Sequence, residues 1–114
     1  MWHPLQHVFG LTAFGANAFV AASAGDVLVD EHIETGSGQE ELYVVVSGRA
    51  TFVLDDVPAD APAITVVAVR DPSVRRRAVA SEPGTTLLAF GGPPRSDFRS
   101  TWREAHFEGV RRLL

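Results

Sequence analysis

Two residue types are missing from this 114-residue chain, cysteine and lysine, and each absence removes a class of chemistry. Without cysteine the chain can form no disulfide framework, no thiolate zinc site and no cysteine nucleophile. Without lysine it can form no Schiff base with a carbonyl substrate, and it has no lysine general base. All ten basic residues other than histidine are therefore arginines.

Long apolar runs and an excess of positive charge are also missing. No apolar run approaches the roughly 18 residues needed to cross a bilayer, and the start lacks a basic-then-apolar signal pattern. The net charge is −4, and residues 1–94 hold five arginines against eleven acidic residues, a difference of −6. An acidic body argues against nucleic acid, because phosphate binding needs a basic face. We expect a cytoplasmic protein that binds neither membranes nor nucleic acid.

Short apolar segments that alternate with polar residues predict a single, mainly β domain. Turn residues separate about seven such segments, as expected of a small antiparallel barrel or sandwich. We predict that residues 64–69, a nearly continuous apolar run, are buried on both faces, and that Pro58 and Pro62 bracket an irregular stretch. The predicted strands span residues 10–22, 27–34, 39–46, 50–54, 64–69, 74–80 and 85–90.

The chain divides into an N-terminal arm (1–9), a barrel (10–92) and a C-terminal extension (93–114). Pro4 argues against a regular element in the arm, whose Trp2 and Phe9 need apolar cover. The extension carries a capping-box pattern at 101–104 followed by helically spaced apolar residues, which predicts an α-helix packed outside the barrel. Because the edges of so small a sheet need cover, we also expect a homodimer with the arm at its interface.

Four polar side chains are predicted to meet at the mouth of one hairpin. His32 and Glu34 lie two residues apart before a turn, and Gln39 and Glu41 lie two apart after it. Side chains two apart share a strand face, so each pair points the same way. We predict that these residues bind a ligand, and that His32, Glu34 and Glu41 are the candidate metal ligands.

The hairpin resembles the first motif of the cupin family, which runs from a glycine through His-x-His and a glutamate to a second glycine. Glu41, six intervening residues and Gly48 match the second half of that motif. Segments 48–52, 71–76 and 84–88 further resemble small actinobacterial cupin-domain proteins. The resemblance implies the RmlC-like cupin fold, a double-stranded β-helix, and a metal site that could support an isomerase, lyase or dioxygenase.

The chain departs from the family pattern in two places. Gly25 plus five residues reaches Glu31, one residue short of His32, and the position nearest the second-motif histidine holds Arg75. We therefore expect either no cofactor or a labile divalent metal ion, and a binding protein rather than an enzyme, with a metal-dependent enzyme as the alternative. A polar cluster that holds only water is the third interpretation.

Three consecutive arginines begin at the second-motif position. Alternation places Arg75 and Arg77 on one strand face and Arg76 on the other. Guanidinium groups suit carboxylates, so we predict that Arg75 and Arg77 bind a small organic acid. Two alternatives stay open, an internal ion pair between an inward arginine and Glu34 or Glu41, and arginines that simply face water. An aromatic set is assigned to the core: Phe14, Phe19, Tyr43, Phe52 and Phe90.

Overall fold

The structure is a computed structural model that describes residues 1–94, which form nine strands and one short helix. All of the pairings between strands are antiparallel. The elements are β1 (Trp2–Pro4), α1 (Leu5–Phe9), β2 (Gly15–Val20), β3 (Val27–His32), β4 (Glu40–Ser47), β5 (Arg49–Leu54), β6 (Val57–Pro62), β7 (Val66–Val69), β8 (Arg76–Ala80) and β9 (Thr86–Gly92).

Two facing sheets enclose one core. The first has the strand order β1-β2-β9-β4-β7, and the second has the order β3-β8-β5-β6. Alternate residues of each strand point inward, and the rings of Tyr43 and Phe52 meet between the sheets with centroids 5.5 Å apart. The prediction of a mainly β, antiparallel barrel is confirmed. The predicted C-terminal helix lies outside the described residues.

The prediction of an irregular stretch between Pro58 and Pro62 is wrong, because these residues form β6. Strand β6 lies at the edge of its sheet and pairs only with β5. An edge strand can carry proline, since one of its sides needs no backbone donors. Asp55 and Asp56 make the two-residue turn before it, both with positive φ (47° and 66°), as a type I′ hairpin requires. The Asp55-Asp56 pair could thus have predicted the turn between β5 and β6 from the sequence.

The prediction that residues 64–69 are buried on both faces is also wrong. Val67 and Val69 are buried, whereas Ile64 and Val66 are 79% and 37% exposed. The reason is that β7 is the last strand of an antiparallel sheet, of which only one face is covered.

The N-terminal arm is regular, although Pro4 argued against this. Strand β1 pairs with β2, where Trp2 lies opposite Phe19, and α1 packs against β2. The arm leaves Trp2 and Phe9 60% and 71% exposed. A second copy of the chain could cover these two side chains. The homodimer stays a prediction.

Among residues 1–94 there is no helix whose length and hydropathy would allow it to cross a membrane.

Gly48 makes the tight connection from β4 to β5 and has a positive φ of 75°. A Cβ atom there would collide with Oγ1 of Thr85 and lie 2.7 Å from the Cα of Thr85. Thr85 is fully buried, and its hydroxyl accepts the N–H of Arg49 at 3.1 Å and donates to the carbonyl of Glu82 at 2.7 Å. Gly48 is therefore required by packing as well as by its backbone conformation.

We expect Gly48→Ala to destabilise the protein by roughly 2–5 kcal/mol, the sum of left-handed strain and overpacking. Gly84→Ala is the matched control, because Gly84 has a similar φ of 73° but no atom within 4 Å of an added Cβ. It should lose only about 1–2 kcal/mol. Urea denaturation measures both, and equal losses would contradict the packing role of Gly48.

Candidate functional site

The three candidate metal ligands meet at the barrel mouth. Nε2 of His32 lies 3.2 Å from Oε1 of Glu34 and 3.6 Å from Oε2 of Glu41. One ligand atom from each residue can be chosen so that all lie within 4.8 Å of one another. Each side chain is partly buried, with 33%, 19% and 13% exposed for His32, Glu34 and Glu41. The structure thus brings together three of the predicted site residues.

A bulge in β3 turns His32 toward the interior. The pairing of β3 with β8 shifts between Val29 and His32, so that His32 lies opposite Arg76. A β-bulge inserts one extra residue and reverses the faces beyond it. The bulge accounts for the one-residue offset from the cupin motif, because it brings His32, not Glu31, to the inner face.

The His32 ring is oriented by its own strand. Its Nδ1 lies 2.8 Å from the backbone carbonyl oxygen of Asp30, which can only accept a hydrogen bond. Nδ1 therefore carries a proton, and Nε2 faces the two carboxylates. Glu34 is held separately, because the hydroxyl of Ser37 donates to its Oε2.

Beneath this cluster lies an arginine whose side chain is completely buried. Nη1 of Arg76 donates to Oε2 of Glu41 at 2.7 Å. Nε and Nη2 donate to the carbonyl of Val74 at 3.0 and 2.7 Å, and Nη2 also reaches the carbonyl of Asp71 at 3.2 Å. Each of the three guanidinium nitrogens thus donates to an acceptor within the chain.

The hydroxyl of Tyr43 donates to the same oxygen of Glu41 as Arg76 does. Burial, and secondly the neighbouring Glu41, raises the pKa of Tyr43 far above its ordinary value. Tyr43 therefore keeps its proton at neutral pH and acts as a donor to Glu41, not as a base.

The residues at the mouth fit a tightly held metal poorly. Their spacing is suitable, since a His/Glu/Glu group could hold a divalent ion. However, Oε2 of Glu41 already accepts from Arg76 and Tyr43, and the guanidinium adds a positive charge 2.7 Å from that oxygen. A divalent ion would have to share Glu41 with a cation that cannot leave.

The inward arginine is Arg76, not Arg75 or Arg77. The alternative of an internal ion pair with Glu41 is therefore the one that the structure shows. The sequence contained the signal, because Arg76, Ala78 and Ala80 alternate on one face and all three are buried. Alternation predicted the two faces, and the burial of Arg76 shows that its face is the interior one. Ligand binding by Arg75 and Arg77 stays a prediction.

The remaining predicted residues lie around the mouth at different distances from it. Gln39 packs over Gly91, where an added Cβ would lie 2.9 Å from Oε1 of Gln39 and 3.3 Å from Cγ of Glu41. Arg77 is exposed on the outer face of β8, so the structure does not bring it to the cluster.

Arg75 lies on an open groove of about 450 Å³ that His32 also lines. Its guanidinium is half exposed and lies 3.7 Å from Glu31 and 3.8 Å from Asp56. Both ion pairs are long and solvated. The groove is lined by Glu31, His32, Ile33, Asp55, Ser73 and Arg75.

Comparison with solved structures identifies the architecture. A cupin protein from Bacteroides fragilis superposes with a TM-score of 0.71 at 19% identity, covering 99% of this chain and 90% of its own. An RmlC-like cupin protein from Desulfovibrio desulfuricans gives 0.61 at 25% identity, covering 72% and 74%. The chain has the cupin fold. No protein-family model and no curated protein sequence matches it.

A third cupin-fold neighbour is a sugar phosphate isomerase from a cupin superfamily in Silicibacter pomeroyi. It gives a TM-score of 0.68 at 19% identity and covers 85% of this chain and 65% of its own. Identities this low show the shared cupin fold and nothing about the ligand. The resemblance to the actinobacterial group stays a prediction.

The buried pair should dominate the stability of the site. Arg76→Met leaves Glu41 without its counter-charge, and we expect a loss of about 3–5 kcal/mol. The double variant Arg76→Met/Glu41→Gln should be less destabilised than the two single variants predict together, because neither charge is then unpaired.

Arg49→Met is the matched control for this cycle. Arg49 donates from Nε to Asp60 at 2.7 Å, but both side chains are exposed, so little stability should be lost. Thermal or urea unfolding measures all four variants. Additive losses in the Arg76/Glu41 cycle would show that the two charges do not stabilise each other.

Proposed function

We propose that the protein binds a small hydroxylated organic acid at the barrel mouth, with a metal absent or only weakly held. The observation that carries this proposal is that His32 belongs to two surfaces at once. It faces the carboxylates of Glu34 and Glu41 through Nε2, and it lines the groove that contains Arg75. One small molecule could therefore contact both surfaces.

Arg75 is the arginine that can receive a ligand carboxylate. Its contacts to Glu31 and Asp56, at 3.7 and 3.8 Å, are exposed ion pairs that contribute little and can be exchanged. A carboxylate can instead bind the planar guanidinium through two parallel hydrogen bonds. Arg76 is unsuited to this role, because it is completely buried and bonded to the chain.

The other half of the site favours hydroxyl groups. Glu34 and Glu41 are acceptors, and Gln39 beside them offers an amide that can accept or donate. Ligand hydroxyls can donate to these oxygens, whereas a second ligand carboxylate would be repelled by them. A molecule with a carboxylate at one end and hydroxyls at the other matches the charge distribution of the mouth.

We expect gluconate to bind more tightly than two analogues that each lack one feature. Hexanoate keeps the carboxylate but has no hydroxyls, and sorbitol keeps the hydroxyls but has no carboxylate. Titration calorimetry should give gluconate an affinity about tenfold or more above either analogue, a difference of about 1.4 kcal/mol. Equal binding of hexanoate and gluconate, or no binding of gluconate, would contradict the proposal.

Two neighbouring arginines provide the matched variants for this titration. Arg75→Gln should weaken gluconate by about tenfold, since it removes a charge-assisted hydrogen bond. Arg77→Gln removes the same charge from the outer face of β8 and should have little effect. A loss in both variants would indicate a general electrostatic effect.

The alternative function is a metal-dependent enzyme, an isomerase, lyase or dioxygenase that uses His32, Glu34 and Glu41. The spacing of these three residues supports it, and so does the sugar phosphate isomerase among the cupin-fold neighbours. Elemental analysis of untagged protein separates the two functions. We expect less than one equivalent of metal and little change in His32→Ala. A full equivalent of iron, nickel, zinc or manganese that disappears in His32→Ala would favour the enzyme.

A further inference from the structure

We infer that the guanidinium of Arg76 is the resident cation of this site and that Arg76 keeps divalent metal ions out of it. In this inference Arg76 is a positioning and specificity-determining residue that acts through Glu41. The inference does not depend on which ligand enters the mouth.

Arg76 already binds the Glu41 oxygen that a metal ion would need. Carboxylate ligands approach zinc and similar ions to about 2.0–2.2 Å. Oε2 of Glu41, the oxygen nearest His32 at 3.6 Å, already accepts from Nη1 of Arg76 at 2.7 Å and from the hydroxyl of Tyr43. A metal ion on that oxygen would lie within about 5 Å of the guanidinium, in surroundings that screen charge poorly.

Arg76 is also held in place by the backbone. Its other bonds go to the backbone carbonyls of Val74 and Asp71, which belong to the turn before β8. Its side chain is 0% exposed, and Arg76 lies opposite His32 on the neighbouring strand. The guanidinium cannot lose its proton in a protein, so its charge is permanent.

Charge balance also favours Arg76 over a metal ion. The carboxylates of Glu34 and Glu41 together carry two negative charges, a number that a divalent ion would match. Arg76 neutralises one of them and occupies Oε2 of Glu41. The cluster therefore keeps the geometry of a metal site while its inner carboxylate is already satisfied.

The inference predicts that removing Arg76 creates a metal site. Titration with Mn²⁺, Ni²⁺ and Zn²⁺ should show weak or no binding to the wild-type protein. Arg76→Met, similar in length but uncharged, should bind at least one of these ions about tenfold or more tightly. Adding His32→Ala to Arg76→Met should abolish the gain, which places the ion at this site.

Tyr43→Phe is the control that separates charge from hydrogen bonding. It also frees a lone pair on Oε2 of Glu41, but it leaves the guanidinium in place, so metal affinity should not rise. A gain in Tyr43→Phe equal to that in Arg76→Met would overturn the inference. Tight metal binding by the wild-type protein would overturn it as well.

Arg76→Met could fail to fold, and that result is also decisive. If a metal ion can replace the guanidinium, adding Ni²⁺ or Zn²⁺ should restore the β-sheet circular dichroism of the variant, because binding energy adds to folding. An unfolded variant that no metal restores would overturn the inference. Failure of gluconate to bind would test only the proposed function and would leave this result unchanged.

Discussion

The site depends on one constraint, that a permanent positive charge is buried between two sheets. Burying an arginine is costly unless its donors are bonded and its charge is balanced. Here the turn before β8 supplies carbonyls, and β4 supplies Glu41. The hydroxyl of Tyr43, a core residue, donates a second hydrogen bond to the Glu41 carboxylate. These groups lie on different strands, so the pair links the two sheets at the end of the barrel where the ligand would enter.

The same constraint divides the mouth into an inner and an outer half. The inner half consists of Arg76 and Tyr43, which are buried and donate to Oε2 of Glu41; Glu41, 13% exposed, joins the two halves. The outer half contains Glu34 and Arg75, whose side chains are 19% and 51% exposed. The proposed ligand would contact the outer half and the exposed part of Glu41, whereas Arg76 and Tyr43 stay covered.

The fold was predictable because its signals are local and repeated. Strands β4 and β5 alternate apolar residues inward, as Tyr43, Val45 and Phe52 show by their complete burial. Errors arose where a strand's place in its sheet overrode its composition. Strand β6 tolerates two prolines only because it is an edge, and composition alone does not say which strand will be one. Positions in a sheet are set by pairing between residues far apart in the chain.

Part of the site was predictable for a similar reason. His32, Glu34 and Glu41 lie close together because they lie in or next to the short connection from β3 to β4. The predicted hairpin is wrong, because these two strands belong to different sheets and do not pair. The role of Arg76 was not predictable, because its partner Glu41 lies 35 residues earlier in the chain on the opposite sheet. The faces of the arginine run could be read from alternation, but which face was interior depended on the register of β8 against β3 and β5.

The bulge in β3 makes the chemical identity of the site depend on backbone register as well as on side chains. With regular alternation from Val29, Glu31 would face Arg76 and His32 would point outward. The bulge absorbs one extra residue, so deleting one residue between Val29 and His32 would restore regular alternation and leave His32 opposite Arg76. The strand can therefore differ by one residue in length while the same imidazole faces the cluster.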